Sequence, residues 1–360
     1  MKIFNLATRY LLLAAVYCAL CIPTVAQTSV TPFDASKDYL NGITYSLPKT
    51  QINITITARC TIEKPGPFYQ YAERYLATKD IITINNETWS VEAIDIHTSA
   101  VADPNRTFQV AIDSRGIANN ISFYHDNIIA GINTECSPKA KEQLKSEESK
   151  NSQFSILNSQ FDYSKLNEDA LVATSIPKMA EMIARQIYHI RESRTALLSA
   201  DLEHIPDGKA LKQMLARLDR DEAELIAFFT GKSHSFTVTK TYTITPDDDL
   251  NDYVIARIST TEGLTESGNV IGEPIYLNIK GTYYNAPLAD PKQEKTPKGF
   301  YYNVPGEAVV SVDYDGTNHT EILPIAQFGY TTPLSATLTN NKNIRITFNP
   351  ELGTIQKIEK

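Results

Sequence analysis

Ile52-Asn53-Ile54-Thr55-Ile56-Thr57-Ala58-Arg59-Cys60-Thr61-Ile62 is the stretch that decides the fold class. Ile52, Ile54, Ile56, Ala58, Cys60 and Ile62 alternate with Asn, Thr and Arg, and a period of two puts that apolar row on one face of a half-buried strand. Pro65-Gly66-Pro67 ends the run. Phe68, Tyr71, Ala72, Tyr75 and Leu76 then follow at helical spacing. Pro67 suits a first helical position, so a short amphipathic helix is expected there. Residues 81–84, 89–96, 107–113 and 127–134 read as further strands, with turns at Asn85-Asn86 and Asp103-Pro104-Asn105.

Downstream the pattern changes twice. Lys139–Lys150 is rich in both charge signs and lacks aromatics, and the polar character runs to about residue 167, as a solvated linker would. The period then becomes helical. Met179, Met182, Ile183, Ile187, Ile190, Leu197 and Leu198 form one stripe, and Leu211, Met214, Leu215, Leu218, Leu225 and Phe229 a second. Ile205-Pro206-Asp207-Gly208 separates them and Gly231 stands where a C-cap belongs, so an antiparallel helical hairpin is expected. After Gly231 the period returns to two in runs around Val238, Ala256, Leu277, Val310 and Ile346, and Asp315-Gly316 is a strong hairpin signal.

These readings predict an α+β protein with two β-rich lobes and a central helical hairpin. The expected segments are an N-terminal β-rich lobe over 28–136, a polar linker over 137–167, the hairpin over 168–231 and a sandwich-like C-terminal β region over 233–360. Whether the two β regions share one core is left open by the pattern.

The amino terminus reads as a cleaved export signal. Lys2 and Arg9 precede an apolar run from Tyr10 to Ile22, and Thr24-Val25-Ala26 offers small residues before a cut at Gln27. That run is too short for a membrane-spanning helix, which needs roughly twenty residues, and no later segment in the sequence is long enough either. Cys18 and Cys21 fall inside the signal, so their C-x-x-C spacing carries no redox or metal meaning. Cys60 and Cys136 remain, as a disulfide or as two buried thiols. The formal charge is −8, and losing Lys2 and Arg9 makes the processed chain more negative still. Such a chain is a poor partner for nucleic acid or anionic lipid.

No motif commits to a reaction. Gly231-Lys232-Ser233 ends like a phosphate-binding loop, but Ile226 stands where the first Gly is needed and the helix precedes the loop. Ser46-Leu47-Pro48-Lys49 has the spacing of penicillin-recognising enzymes, yet Pro48 and the following strand keep Lys49 off a helical turn above Ser46. The six histidines show no metal-binding spacing, and Asp247-Asp248-Asp249 lacks the alternation of a calcium loop, so no metal and no cofactor is expected. Tyr283, Tyr284, Phe300, Tyr301 and Tyr302 flank a Pro- and Lys-rich loop at 286–299. Exposed together they would stack on sugar rings or peptide; in strands, alternate members would pack the core. Arg191 and Arg194 crowd one end of the hairpin, whose outer charges are expected to face a partner.

Several strings then coincide. They are Tyr45-Ser46-Leu47-Pro48-Lys49-Thr50, Pro65-Gly66-Pro67-Phe68-Tyr69, Tyr71-Ala72-Glu73-Arg74-Tyr75-Leu76 and Arg191-Glu192-Ser193-Arg194. Pro206-Asp207-Gly208, Phe228-Phe229-Thr230-Gly231, Tyr301-Tyr302-Asn303-Val304-Pro305-Gly306 and Ala326-Gln327-Phe328-Gly329 complete the set. Together they resemble domain-of-unknown-function family 4831, exported Bacteroides-type proteins of about 350 residues. The resemblance implies a Gram-negative envelope location, periplasmic or outer-membrane-associated, and supplies no activity. The leading expectation is a non-enzymatic envelope interaction or assembly protein whose partner is an envelope protein or glycan. A periplasmic hydrolase with a site assembled in three dimensions, and a glycan- or peptide-binding module using the Tyr283–Tyr302 aromatics, are the other readings.

Overall fold

The computed structural model describes residues 29–34, 36, 42–111, 120–135, 161–199, 208–287, 299–335, 338, 341 and 343–360. The expected signal at 1–26, residues 137–160 of the linker, the helix-breaking 205–207, Cys136 and most of the 286–299 loop lie outside these residues.

The alternating stretch is the centre of β2, Gly42–Lys64, which pairs antiparallel with β3, Asn86–Ala111. Ile52, Ile54, Ile56, Ala58 and Cys60 are all fully buried, as the alternation requires. On the other face of β2, Thr55 and Thr57 meet Thr241 and Thr239 through their hydroxyls at 3.0 and 3.1 Å. The first sheet has the order β1 (Ser29–Pro32), β3, β2, β6 (Lys232–Ile244). The second runs β11 (Thr317–Pro333), β10 (Tyr301–Tyr314), β9 (Glu273–Thr282), β7 (Leu250–Ser259), β8 (Gly263–Glu266). The third runs β13 (Ile355–Glu359), β12 (Arg345–Phe348), β5 (Ile129–Ile132), β4 (Ile121–Phe123).

The two β regions share their cores. The chain leaves the helices and β6 pairs with β2 along Ile52↔Ile244 to Lys64↔Lys232, so a strand from the C-terminal segment completes the N-terminal sheet. β12 likewise pairs with β5. The sandwich is therefore the first sheet packed on the second: Ile52, Ile54, Ile56, Ile94 and Ile96 meet Ile258, Ile275, Leu277, Ile279, Val310, Val312 and Phe328. A second core lies under the third sheet, where Tyr45, Leu47, Phe108 and Val110 meet Ile129, Phe300, Ile346 and Phe348.

β2 and β3 serve both cores because they bend. Twenty-three residues of straight strand would run about 75 Å, far beyond a usual sheet width. Between Ser46↔Thr107 and Pro48↔Ala102 the register breaks, and residues 103–106 stand opposite Leu47 alone. Asp103-Pro104-Asn105, expected as a turn between two strands, is this bulge inside one continuous β3. Asp103 Oδ1 accepts the Asn105 amide at 2.9 Å there. Pro48, which has no N–H to give to a ladder, sits at the break. Residues 81–84, expected as a strand, are irregular chain.

The helical part is a hairpin with a foot. Numbering helices along the chain, α1 is Ala72–Leu76, α2 Glu168–Leu171, α3 Ile176–Ser199 and α4 Gly208–Thr230. Ala180, Ile183, Ala184 and Ile187 of α3 pack with Leu225, Phe228 and Phe229 of α4, and with Phe68 and Ala72. The expected polar linker ends inside this cluster, since Leu166 is buried in it and Phe161 packs on Phe228 with centroids 5.3 Å apart. Gly231 closes α4 at φ 95°, the conformation that favours glycine, and its amide reaches Ala227 O at 2.9 Å. At Gly66 the chain passes so close to α4 that a Cβ would lie 2.3 Å from Phe228 O. The Phe68 amide donates to that same carbonyl at 2.9 Å, which fixes the hairpin's root to the end of β2.

Candidate functional site

Where the bend occurs, side chains from β3, β10 and β11 form a largely buried strap. The bulge aims Arg106 at β10 and β11: Nη1 donates to Asn303 Oδ1 at 3.2 Å and to Ala326 O at 3.1 Å. Asn303 is fully buried, and its Nδ2 donates to Pro48 O at 3.1 Å and Leu352 O at 3.0 Å. Gln327 accepts the Thr50 amide at 2.9 Å and donates to Thr50 O at 2.9 Å and Pro246 O at 2.8 Å. Burial lowers the Arg106 pKa and Asp103, 3.5 Å away, opposes that shift. Every polar group here is turned on another part of the frame, so the strap holds three sheets in register and offers little to a ligand. Three of the strings behind the family resemblance, around Pro48, Asn303 and Gln327, meet at this one place.

The aromatics at 283–302 do not form one patch. Phe300 is fully buried, and Tyr301 stacks on Phe108 with centroids 4.4 Å apart, so both belong to the second core. Tyr302 packs against the same core from its edge. Only Tyr283 and Tyr284 are exposed. Tyr283 lies on Phe328 and donates to Asp249 Oδ1 at 2.8 Å, so its ring is held against the sheet. A five-membered stacking surface is thereby excluded, because strand alternation and core packing claim most of its members.

Arg191 and Arg194 also turn inward. Glu222 of α4 is 7% exposed and receives Arg191 Nε at 2.7 Å together with Arg194 Nη2. Arg194 reaches Asp219 at 2.7 Å as well. Burial raises the Glu222 carboxyl pKa, but the hydrogen bonds and charges of the two arginines outweigh it and hold the group below the usual carboxylate range. These arginines, expected among outward charges, therefore clamp α3 to α4 through Glu222, with Arg191 still 39% exposed.

What the hairpin does present is a cleft of about 710 Å³ between its two helices and the segment leading into α2. Lys165, Arg185, His189 and Arg217 supply its basic side chains and Asp221 its acid. Ile190 and Leu225 give it an apolar floor, with Ser164, Asn167 and Gln186 along one wall. Asn167 caps α2 by accepting the Ala170 amide at 3.0 Å, and Gln186 donates to Lys165 O at 3.1 Å, so the wall is braced from both sides. Arg217 meets Asp221 at 3.8 Å and Lys165 meets Asp221 and Glu224 at 3.8 and 3.5 Å, distances too long for strong hydrogen bonds. Arg185 has a closer partner in Glu181, at 2.6 Å. A volume in this range suits a small molecule or a protruding loop.

The sequence reading placed Ile190 and Leu225 in the apolar stripes and Arg185, Arg217 and Asp221 among the hairpin's outer charges, but did not join them into one site. Lys165 lay in the supposed linker. Arg185 and His189, Gln186 and Ile190, and Arg217, Asp221 and Leu225 each recur every four residues, which puts each set on one helical face. That spacing is the available signal; the meeting of the faces is tertiary.

Among the described residues no group of His, Cys, Asp and Glu is arranged to hold a metal ion, and no helix is long and apolar enough to cross a membrane. No curated protein and no solved structure matches the chain. One family model does, over residues 41–356, a span that takes in the hairpin and every strand but β1 and most of β13. The chain belongs to the family described as Domain of unknown function (DUF4831).

Proposed function

We propose that the protein is an exported, non-enzymatic docking protein of a Gram-negative cell envelope, and that the cleft of the helical hairpin is its docking seat. The observation that carries this reading is the cleft's chemistry: the long ion pairs of Lys165 and Arg217 beside half-buried Ile190, on a hairpin whose root is bonded to the end of β2. Such a surface recognises an anionic rim around an apolar centre, which is recognition chemistry. The N-terminal pattern of residues 1–26 supports export.

Two measurements test it. Terminal sequencing of the protein recovered from envelope fractions is expected to begin at Gln27, and a chain that stays in the cytoplasm with Met1 intact refutes export. A photo-reactive residue in place of Ser164, on the cleft wall, is expected to give a discrete adduct in intact envelopes. The same residue in place of Lys280, on an exposed face of β9, gives none. Equal labelling from both positions, or none from Ser164, refutes the docking seat.

A further inference from the structure

We infer that two copies of this chain dimerise by pairing β11 with β11 antiparallel, across the open half of that strand's edge. β11 is an outer strand of the second sheet. Its later half is closed by other parts of the frame. Arg106 donates to Ala326 O and Gln327 O, Thr50 Oγ1 accepts the Ala326 amide at 2.9 Å, and the Tyr284 amide donates to Phe328 O at 2.9 Å. Over Thr317–Leu323 the backbone pairs only with β10 among the described residues, and every residue from Thr317 to Ile322 is exposed. The amides and carbonyls on its far side therefore face water, a ready template for another strand. Edges of this kind are usually guarded by Lys, Pro or a bulge. Here none interrupts the ladder from Tyr314↔Thr317 to Ala308↔Leu323. Val309 and Ile322, opposite each other on the outer face, are left 41% and 70% exposed. The remaining outer strands are three to five residues long, or, as β6, bridged to the next sheet by Lys240 Nζ on Leu264 O at 2.9 Å.

Two side chains choose the partner and the register. His319 stands opposite Val312 and Glu321 opposite Val310, so both share the inner face of the sheet at its rim. Both are exposed, and neither has a hydrogen bond or ion pair among the described residues. An inward-facing charge at an edge repels strands that offer it nothing. A second copy answers it. About a two-fold axis through Thr320, residue 319 of each copy lies opposite residue 321 of the other, so a His319–Glu321 pair forms twice. Centring the axis on residue 319 or 321 sets His against His or Glu against Glu. Imidazole donates to a carboxylate in either protonation state, and opposite pairs across strands favour one register over its neighbours. An edge meeting itself makes an isologous contact, which closes at two copies.

Sedimentation of the processed full-length chain at rising concentration tests it. The parent is expected to pass from monomer to dimer and to stop there. Glu321→Lys sets a cation against His319, and His319→Glu sets two carboxylates together, so each variant alone is expected to stay monomeric with parent-like melting. An equal mixture of the two restores an opposite pair at both positions and is expected to form the heterodimer. Cross-linking checks the register without touching a charge. Thr320→Cys lies on the axis, at the roughly 4.5–5.5 Å of directly opposed strand residues, and is expected to give a disulfide-linked dimer on mild oxidation, above the parent's background. Asn318→Cys lies about 14 Å from its own copy along the strands and is expected to give none. A parent that is monomeric at every concentration, dimers that survive in both charge variants, a mixture that stays monomeric, or equal cross-linking from positions 318 and 320 overturns the self-paired edge.

Discussion

Reversing Arg191 and Arg194 to Glu tests whether the charge cluster between α3 and α4 holds the hairpin together. In the folded chain Glu222 sits 10% exposed by side chain, with one arginine on each carboxylate oxygen. The double reversal leaves that buried carboxylate facing two more. Stripping a buried ion of its partner costs about 3–5 kcal/mol, and repulsion at these distances adds to it. Glu222→Gln is milder. The arginines left behind are 39% and 28% exposed, and Arg194 keeps Asp219, so water and one remaining partner cover part of the loss. We expect about 1–3 kcal/mol there, and the order of the two variants is itself a prediction. Chemical denaturation of the full chain measures both, and hydrogen exchange in α3 and α4 locates the loss. The pH dependence follows from the depressed carboxyl. A group whose folded pKa lies below its unfolded value, about 4.3 for Glu, contributes its stability in full above that value and loses it as pH falls through the lower folded value. The gap between the parent and Glu222→Gln should therefore be constant near neutrality and narrow below about pH 4. Variants that denature within about 0.5 kcal/mol of the parent, the range of ordinary surface changes, refute the clamp.

Three further outcomes are expected. Asn303→Leu takes one of its acceptors from the Arg106 guanidinium and removes the side chain that Pro48 O, Leu352 O and the Thr331 hydroxyl bond to. It should cost at least about 3 kcal/mol in denaturant, and a neutral result would remove the strap's structural role. Gly231→Ala must adopt φ 95° and place a Cβ 2.5 Å from Lys64 O, so a loss of about 1–3 kcal/mol is expected, with parent-like stability contradicting the cap. Cys60 is a buried free thiol whose pKa is pushed up to about 12 by burial and by Glu87. It should resist alkylation at pH 8 in the folded protein and react once unfolded without reductant; labelling of the native chain at Cys60 would contradict its burial.

Elements whose cause is local were legible from the residues alone. Alternation along Ile52–Ile62 fixed the buried face of β2 because strand side chains can only point two ways. Asp315-Gly316 dictated the β10–β11 hairpin, since both residues take positive φ there, at 47° and 73°. The apolar stripes and Gly231 likewise set the two long helices, which occur at Ile176–Ser199 and Gly208–Thr230. Tertiary structure decided what depends on partners far away in the chain. The pattern showed that β6 is a strand but not that its neighbour is β2, 180 residues earlier, since backbone ladders carry no residue code. It made Asp103-Pro104-Asn105 a turn but could not show that the turn is a bulge aiming Arg106 at Asn303. Exposed charge and buried clamp look the same in one dimension, so Arg191 and Arg194 read as outward until α4 brought Glu222 against them. Lys165, Arg185 and Arg217 become a cleft only because three segments cross, and that crossing is set by packing at Ile183, Ile187 and Phe228, where the local pattern says only which faces are apolar.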